Sequence, residues 1–186
     1  LPRIISGLAK GIILETPHGM KTRPTSDRAK EALFSILGDV YEGKPVLDLF
    51  SGTGSLGLEA ISRGAESCIF VDKNRKAVQI IKNNIDKCRM GEYSKVLAMD
   101  VVKAIGSQEI SNRKFACIFM DPPYDKKLLS GTIEKLNQND IIEKKGILVV
   151  EHSAGETPPD VIFGFTCHDR RDYGAVNFSF YHSVDV

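Results

Sequence analysis

Apolar residues fall into two alternating patterns along most of this chain. Five short apolar runs predict buried strands: Val46-Leu47-Asp48-Leu49-Phe50, Cys68-Ile69-Phe70-Val71, Val96-Leu97-Ala98-Met99, Phe115 to Met120, and Gly146 to Glu151. Between them the spacing becomes helical. Leu56 to Arg63 is closed by Gly64, one face of the next helix carries Ala77, Ile80, Ile81, Asn84, Ile85 and Cys88, and a third helix surrounds Leu129, Ile133 and Leu136. Strands alternating with helices in this way build a doubly wound, mainly parallel α/β sheet.

Both ends depart from that rhythm. Val176 to Tyr181 alternates strictly after a Tyr173-Gly174 turn, which predicts an antiparallel C-terminal hairpin with Thr166–Asp172 as its first arm. At the front, Ile4-Ile5 and Ile12-Ile13-Leu14 flank a segment bounded by Gly7 and Gly11, which predicts a small β-hairpin presenting Arg3 and Lys10. Ala29, Ala32, Leu33, Ile36 and Leu37 then predict a helix capped by Thr25 or Ser26 and stopped by Gly38. The expectation is a single domain over residues 1–186, with 1–22 as an N-terminal extension.

Composition narrows the class. With 186 residues, 42% hydrophobic and 26% charged, the chain suits one buried core. No apolar run is long enough to span a bilayer, and the first residues lack a signal-peptide pattern, so a soluble cytoplasmic protein with no membrane partner is expected. Cys68, Cys88, Cys117 and Cys167 are too widely spaced for a zinc or redox motif, so they are expected to be reduced, with Cys68 and Cys117 in strand cores. Net charge is +1, but residues 1–30 hold six basic side chains against two acidic ones. A basic arm on a neutral body suits phosphate contact, and solvated surface lysines suit it equally.

The candidate chemistry gathers at strand ends. Asp121-Pro122-Pro123-Tyr124 follows the Phe115–Met120 run, at the carboxyl edge where open α/β sheets place ligands. The prolines stiffen the turn, which displays an acid, carbonyl acceptors and an aromatic face. Gly52-Thr53-Gly54-Ser55-Leu56-Gly57 matches G-x-G-x-x-G after a strand and before a helix, and Asp72 stands 20 residues after Gly52, where an acid grips ribose hydroxyls. This pattern serves NAD and S-adenosylmethionine alike. Asp48 beside the loop, together with Asp72, Asp100 and Asp121 at strand ends, favours the cationic sulfonium ligand over a pyrophosphate. A nicotinamide-dependent oxidoreductase, an adenine-N6 methyltransferase on DNA or RNA, and a silent RNA-binding module are the competing readings.

Taken together, Arg3-Ile4-Ile5-Ser6-Gly7 with Lys10-Gly11, Arg23-Pro24-Thr25 with Asp27-Arg28, Asp48-Leu49-Phe50-Ser51-Gly52-Thr53-Gly54, Asp121-Pro122-Pro123-Tyr124 and Tyr173-Gly174 closely resemble the RsmD family of bacterial 16S ribosomal RNA guanine-N2 methyltransferases. The resemblance implies a Rossmann-like class I methyltransferase with a mainly parallel seven-stranded sheet. It would modify the exocyclic amine of one guanine, the 966-type position of 16S rRNA, with S-adenosylmethionine as cofactor, S-adenosylhomocysteine as product and no metal. A monomer acting on 16S rRNA, including RNA within an assembling small subunit, is expected. The implied catalytic residues are Asp121, Pro122, Pro123 and Tyr124. The implied cofactor contacts are Thr25, Asp48, Phe50, Ser51, Gly52, Thr53, Gly54, Asp72, Lys73, Asp100 and Val101. Arg3, Lys10, Arg23 and Arg28 are the implied RNA contacts. Ser51 and Thr53 replace a frequent Ala and Ser and retain hydroxyls, whereas Ile12 replaces a frequent Arg and removes a phosphate contact.

Overall fold

The computed structural model describes residues 1–18, 25–123 and 125–184. In chain order the elements are α1 (Asp27–Leu37), β1 (Pro45–Leu49), α2 (Ser55–Ser62), β2 (Ser67–Val71), α3 (Arg75–Lys87), β3 (Ser94–Leu97), α4 (Val101–Ile105), α5 (Gln108–Ser111), β4 (Phe115–Met120), α6 (Lys126–Asn139), β5 (Ile142–His152), β6 (Val161–Ile162), β7 (Phe165–Asp172) and β8 (Asn177–Ser183). The strands form one sheet in the order β3-β2-β1-β4-β5-β8-β7-β6. The first five are parallel neighbours, and β8, β7 and β6 run antiparallel.

The strand runs are apolar on both sides because both faces are covered. On one face Leu33 and Phe34 of α1, Leu58 of α2 and Ile81 of α3 pack with Phe70, Phe119, Val149 and Phe178. On the other, Ala104, Ile110, Ile133 and Leu136 pack with Leu47, Ile118, Leu148 and Tyr181. Cys68 and Cys117 lie in the buried strands, and all four cysteines are free thiols. No helix among the described residues is long and apolar enough to cross a membrane.

The sheet has eight strands rather than the seven expected. The extra one is β6, only two residues long, which pairs with β7 through a turn in which Phe163 (φ 41°) and Gly164 (φ 77°) are both left-handed. Such a turn follows strand twist, but Phe-Gly is a weak written signal for it.

The expected N-terminal β-hairpin is present in a reduced form. Residues 2–14 fold back on themselves with hydrogen bonds from Ile4 N to Ile12 O (2.9 Å) and Leu14 N to Pro2 O (2.8 Å), yet only Arg3 and Ile13 bridge as strand residues. The reason is competition for the backbone. Ile5 N and Ser6 N donate to the Glu59 carboxylate, and Leu8 N and Ala9 N donate to Ser62, all on α2. Ile4 and Leu14 are fully buried in the core beneath α1, so the described part of the extension shares the main core.

A charge is buried under this arm. Lys30 and Glu59 have side chains 1% and 0% exposed, and Lys30 Nζ sits 3.2 Å from Glu59 Oε2. Lys30 also donates to Arg3 O (2.5 Å) and Ser55 Oγ (3.0 Å), which links the arm to the first residue of α2. Arg63 completes the network by donating to Glu59 and Glu31.

Candidate active site

A cavity of about 690 Å³ opens at the carboxyl ends of β1, β2, β4 and β5. Its floor is the turn out of β1, where Phe50 (φ 56°), Gly52 (φ 60°) and Gly54 (φ 78°) all take left-handed conformations. Ser51 holds that turn in place. Its N–H donates to Val71 O (3.0 Å), its hydroxyl donates to Asp48 O (2.5 Å), and it accepts from Val71 N (2.9 Å). The loop is therefore fastened to β2 before α2 begins, and the first two residues of α2, Ser55 and Leu56, line the cavity.

Gly57 shows why the third glycine matters. A Cβ there would lie 2.4 Å from Phe70, 2.7 Å from Cys68 Sγ and 3.0 Å from Asp48 Oδ2, so only glycine lets α2 approach the sheet this closely. The Gly57 N–H donates to Asp48 Oδ2 at 3.0 Å. Asp48 is only 3% exposed, and burial holds its carboxyl well above the usual carboxylate range despite that bond, with Asp121 and Asp72 adding to the effect. Asp72 accepts from Gly52 N (3.0 Å) and Asn74 N (2.9 Å), which fixes its carboxylate against the glycine loop.

The opposite wall comes from β4 and β5. Met120 and Val150 are register partners, so the next residues, Asp121 and Glu151, stand side by side at adjacent strand ends. The Asp121 side chain reaches solvent within the cavity yet is crowded by protein, and this burial, with the nearby Glu156 charge, pushes its carboxyl up to about 6. Burial pushes Glu151 up to about 8, Asp121 adds to that, and the Thr25 hydroxyl, 3.0 Å from each carboxyl oxygen, opposes it.

The structure brings Thr25, Asp48, Phe50, Ser51, Gly52, Thr53, Asp72 and Asp121 to this one cavity. Gly54 acts through its backbone as the α2 N-cap. Lys73 is exposed and does not line the cavity. Asp100 and Val101 do not line it either. β3 stops at Leu97, and Asp100 instead caps α4 by accepting from Lys103 N at 3.1 Å, while Val101 is buried on the α4 side of the sheet. Pro122 and Pro123 line a second cavity of about 190 Å³, which shares Glu151 with the first. Arg3 is ion-paired with Asp27 (2.8 Å), whereas Lys10 and Arg28 are exposed. Tyr124 and Arg23 lie outside the described residues.

Two site residues carry no written signature. Glu151 reads only as the end of an apolar strand. Asn84 reads as one more position on the inner face of α3, yet it is fully buried and donates to Thr53 O (2.9 Å) while accepting from Glu15 N (2.7 Å), tying the N-terminal segment to the glycine loop. A polar residue within an apolar helical stripe was the available signal.

A left-handed glycine loop opening a helix, an acid at the end of the neighbouring strand, and an Asp-Pro-Pro turn across the cavity define a Rossmann-like class I methyltransferase of the S-adenosylmethionine-dependent type. Residues 2–182 match the family described as Conserved hypothetical protein 95. The chain is 30% identical over 179 residues to Ribosomal RNA small subunit methyltransferase D of Escherichia coli (strain K12), covering 96% of this chain and 88% of that protein. It is 35% identical over 179 residues to the Bacillus subtilis (strain 168) protein YlbH, covering 96% and 97%. The chain belongs to this family. Among solved structures, Escherichia coli yhhF matches with a TM-score of 0.86 at 27% identity over 100% of this chain and 99% of that one. The Thermus thermophilus protein TTHA0928 matches at 0.80 and 30% identity, over 97% and 98%.

Proposed function

We propose that this protein transfers a methyl group from S-adenosylmethionine to the exocyclic N2 amine of a guanine in 16S ribosomal RNA, at the 966-type position. The observation that carries this reading is Asp121, at the head of the Pro122-Pro123 turn, standing in one acid-lined cavity with the glycine loop. Asp48, Asp72, Asp121 and Glu151 would favour a cationic ligand and oppose the pyrophosphate of a nicotinamide cofactor, so the donor set fits S-adenosylmethionine. Asp72 would accept from the ribose hydroxyls, and Asp48 would meet the cationic methionine end directly or through water.

When bound, the cofactor supplies an electrophilic methyl on a sulfonium. The protein's task lies on the acceptor side. A purine amine is a poor nucleophile because its lone pair is delocalised into the ring, and positive charge grows on nitrogen as the new N–C bond forms. Asp121 and the Pro122 carbonyl are acceptors on a stiff turn; they orient the N–H bonds, aim the lone pair and stabilise that charge. The electron pair of the broken C–S bond stays on sulfur, giving S-adenosylhomocysteine, and the released proton passes to Asp121, whose raised carboxyl pKa of about 6 suits it to that role. Tyr124 would stack on the base once it leaves its helix or loop. Arg3, Lys10, Arg23 and Arg28 would contact RNA phosphates, and the enzyme is proposed to act as a cytoplasmic monomer.

The test is to map methyl incorporation on ribosomal RNA from a strain lacking this protein, before and after adding it, and to identify the modified nucleoside. N2-methylguanosine at one site is expected. Methylation of adenine N6 instead would overturn the choice of base.

A further inference from the structure

We propose that Glu151 is the specificity-determining acceptor for the N1–H of the target guanine, with the base seated in the smaller cavity behind the Asp121-Pro122-Pro123 turn. The inference rests on the guanine-N2 reading above and names the residue that separates guanine from adenine at that site.

The sheet order supplies the first argument. The glycine loop leaves β1, Asp121 leaves β4 and Glu151 ends β5, and these strands are neighbours in that order. A base that presents its amine at Asp121 to a methyl donor held on the β1 side must extend the other way, toward β5. Adjacent strands lie about 4.8 Å apart, so Glu151 is the next side chain that the base edge meets.

The cavities supply the second. The larger one, about 690 Å³, falls in the roughly 300–1,000 Å³ range of pockets for cofactor-sized ligands, whereas the smaller, about 190 Å³, lies below it and is scaled to a single ring system. Pro122 and Pro123 form one side and Pro158 and Pro159 contribute to the rest, giving a stiff and largely apolar slot. That slot is braced from behind. Arg170 donates to Pro158 O (2.5 Å) and pairs with Asp160, and the Tyr181 hydroxyl donates to Pro159 O (2.7 Å). Glu151 borders both cavities, as a residue touching the base beside its reacting amine must.

The third argument is donor–acceptor chemistry. Beside its exocyclic amine guanine carries N1–H, a donor, whereas adenine carries N1, an acceptor. An ionised carboxylate is acceptor-only, so it welcomes the first and repels the second. A cation in the larger cavity favours that ionised form. The Thr25 hydroxyl fixes the Glu151 carboxyl with one donor and leaves other lone pairs for the base.

The test uses full-length protein and synthetic RNAs of the small-subunit target sequence, carrying guanine, adenine or 2-aminopurine at the methylated position. 2-Aminopurine keeps the N2 amine and lacks N1–H. Wild type is expected to favour guanine over 2-aminopurine by roughly 10- to 100-fold in kcat/KM. Glu151→Gln, whose amide both donates and accepts, is expected to collapse that preference at saturating cofactor, with calorimetric binding of S-adenosylmethionine, weakened by the lost charge, reporting an intact fold. Glu151→Asp keeps an acceptor-only group, so its preference should persist at a lower rate. If wild type methylates guanine and Glu151→Gln keeps the full preference at saturating cofactor, Glu151 does not read the base. If wild type methylates adenine and not guanine, the guanine reading fails, and this assignment fails with it.

Discussion

The two walls of the large cavity hold their acids in opposite ways. On the glycine-loop wall the backbone claims the carboxylates: Gly57 N–H holds Asp48, and Gly52 and Asn74 N–H groups hold Asp72. On the wall formed by β4 and β5, no hydrogen bond to the Asp121 carboxyl is found among the described residues, and Glu151 receives only a threonine hydroxyl. Backbone donors keep an acid oriented, which suits a group that must grip a ligand, even where burial raises its pKa as at Asp48. Crowding without donors raises pKa and leaves lone pairs available, which suits groups that meet a substrate's N–H bonds and its proton. On the proposed function, one wall serves binding and the other transfer.

The largest expected effect breaks that division at the transfer wall. Asp121→Ala should lower kcat by about 10³-fold or more, because it removes both an orienting acceptor and a stabilising charge, while leaving S-adenosylmethionine affinity within a few-fold. A tritium-transfer assay and calorimetry on the same variant check it, and retained turnover would remove Asp121 from the mechanism. Asp72→Ala should show the reverse pattern. Cofactor affinity should fall roughly 10- to 100-fold through the lost ribose hydrogen bonds, with kcat at saturating cofactor much less affected. Unchanged affinity would detach Asp72 from the ribose.

A third substitution probes how the binding wall is assembled. Gly57→Ala must force Phe70, Cys68 or Asp48 aside, since the added carbon would lie within 3.0 Å of all three. Overpacking of this kind costs about 1–3 kcal/mol, which corresponds to a Tm loss of roughly 2–12 °C for a chain of this size. Scanning calorimetry measures it. A variant as stable as wild type would show that α2 does not need its close seat on the sheet.

The binding wall was also the more legible of the two in the sequence. Its strand runs, its glycines and Asp72 at a fixed offset are local signals, because a tight turn and a helix start are decided by neighbouring residues. Five of the eight strands, the three longer helices after the first strand and the C-terminal hairpin follow from apolar spacing alone. Short elements escaped: α4 and α5 span too few residues to show a period, and β6 has only two. The N-terminal hairpin was legible as a fold-back, but nothing in residues 1–14 reveals that Glu59 and Ser62 compete for its amides and shorten its pairing. Lys30 reads as a surface lysine, and only the fold brings Glu59, Ser55 and Arg3 around it. Glu151 was invisible for the same reason, since its importance comes from standing next to Asp121 in register, 30 residues away in the chain.

That neighbourhood also makes the smallest prediction, which concerns stability. The Glu151 carboxyl is raised in the folded protein from about 4.5 to about 8, chiefly by burial and then by Asp121. A carboxyl with a raised folded pKa favours the native state while it is protonated. Its contribution is therefore present below about pH 4.5 and is lost as pH climbs toward about 8 and the buried group must ionise. Glutamine at this position does not titrate, so Tm of Glu151→Gln relative to wild type should increase steadily from about pH 5 to about pH 8.5, by a few degrees. Saturating S-adenosylmethionine should shrink that difference, because a cation in the cavity offsets the cost of the ionised carboxylate and stabilises only the folded state. A pH-independent difference would mean that Glu151 keeps an ordinary carboxylate pKa and that its burial beside Asp121 carries no electrostatic cost.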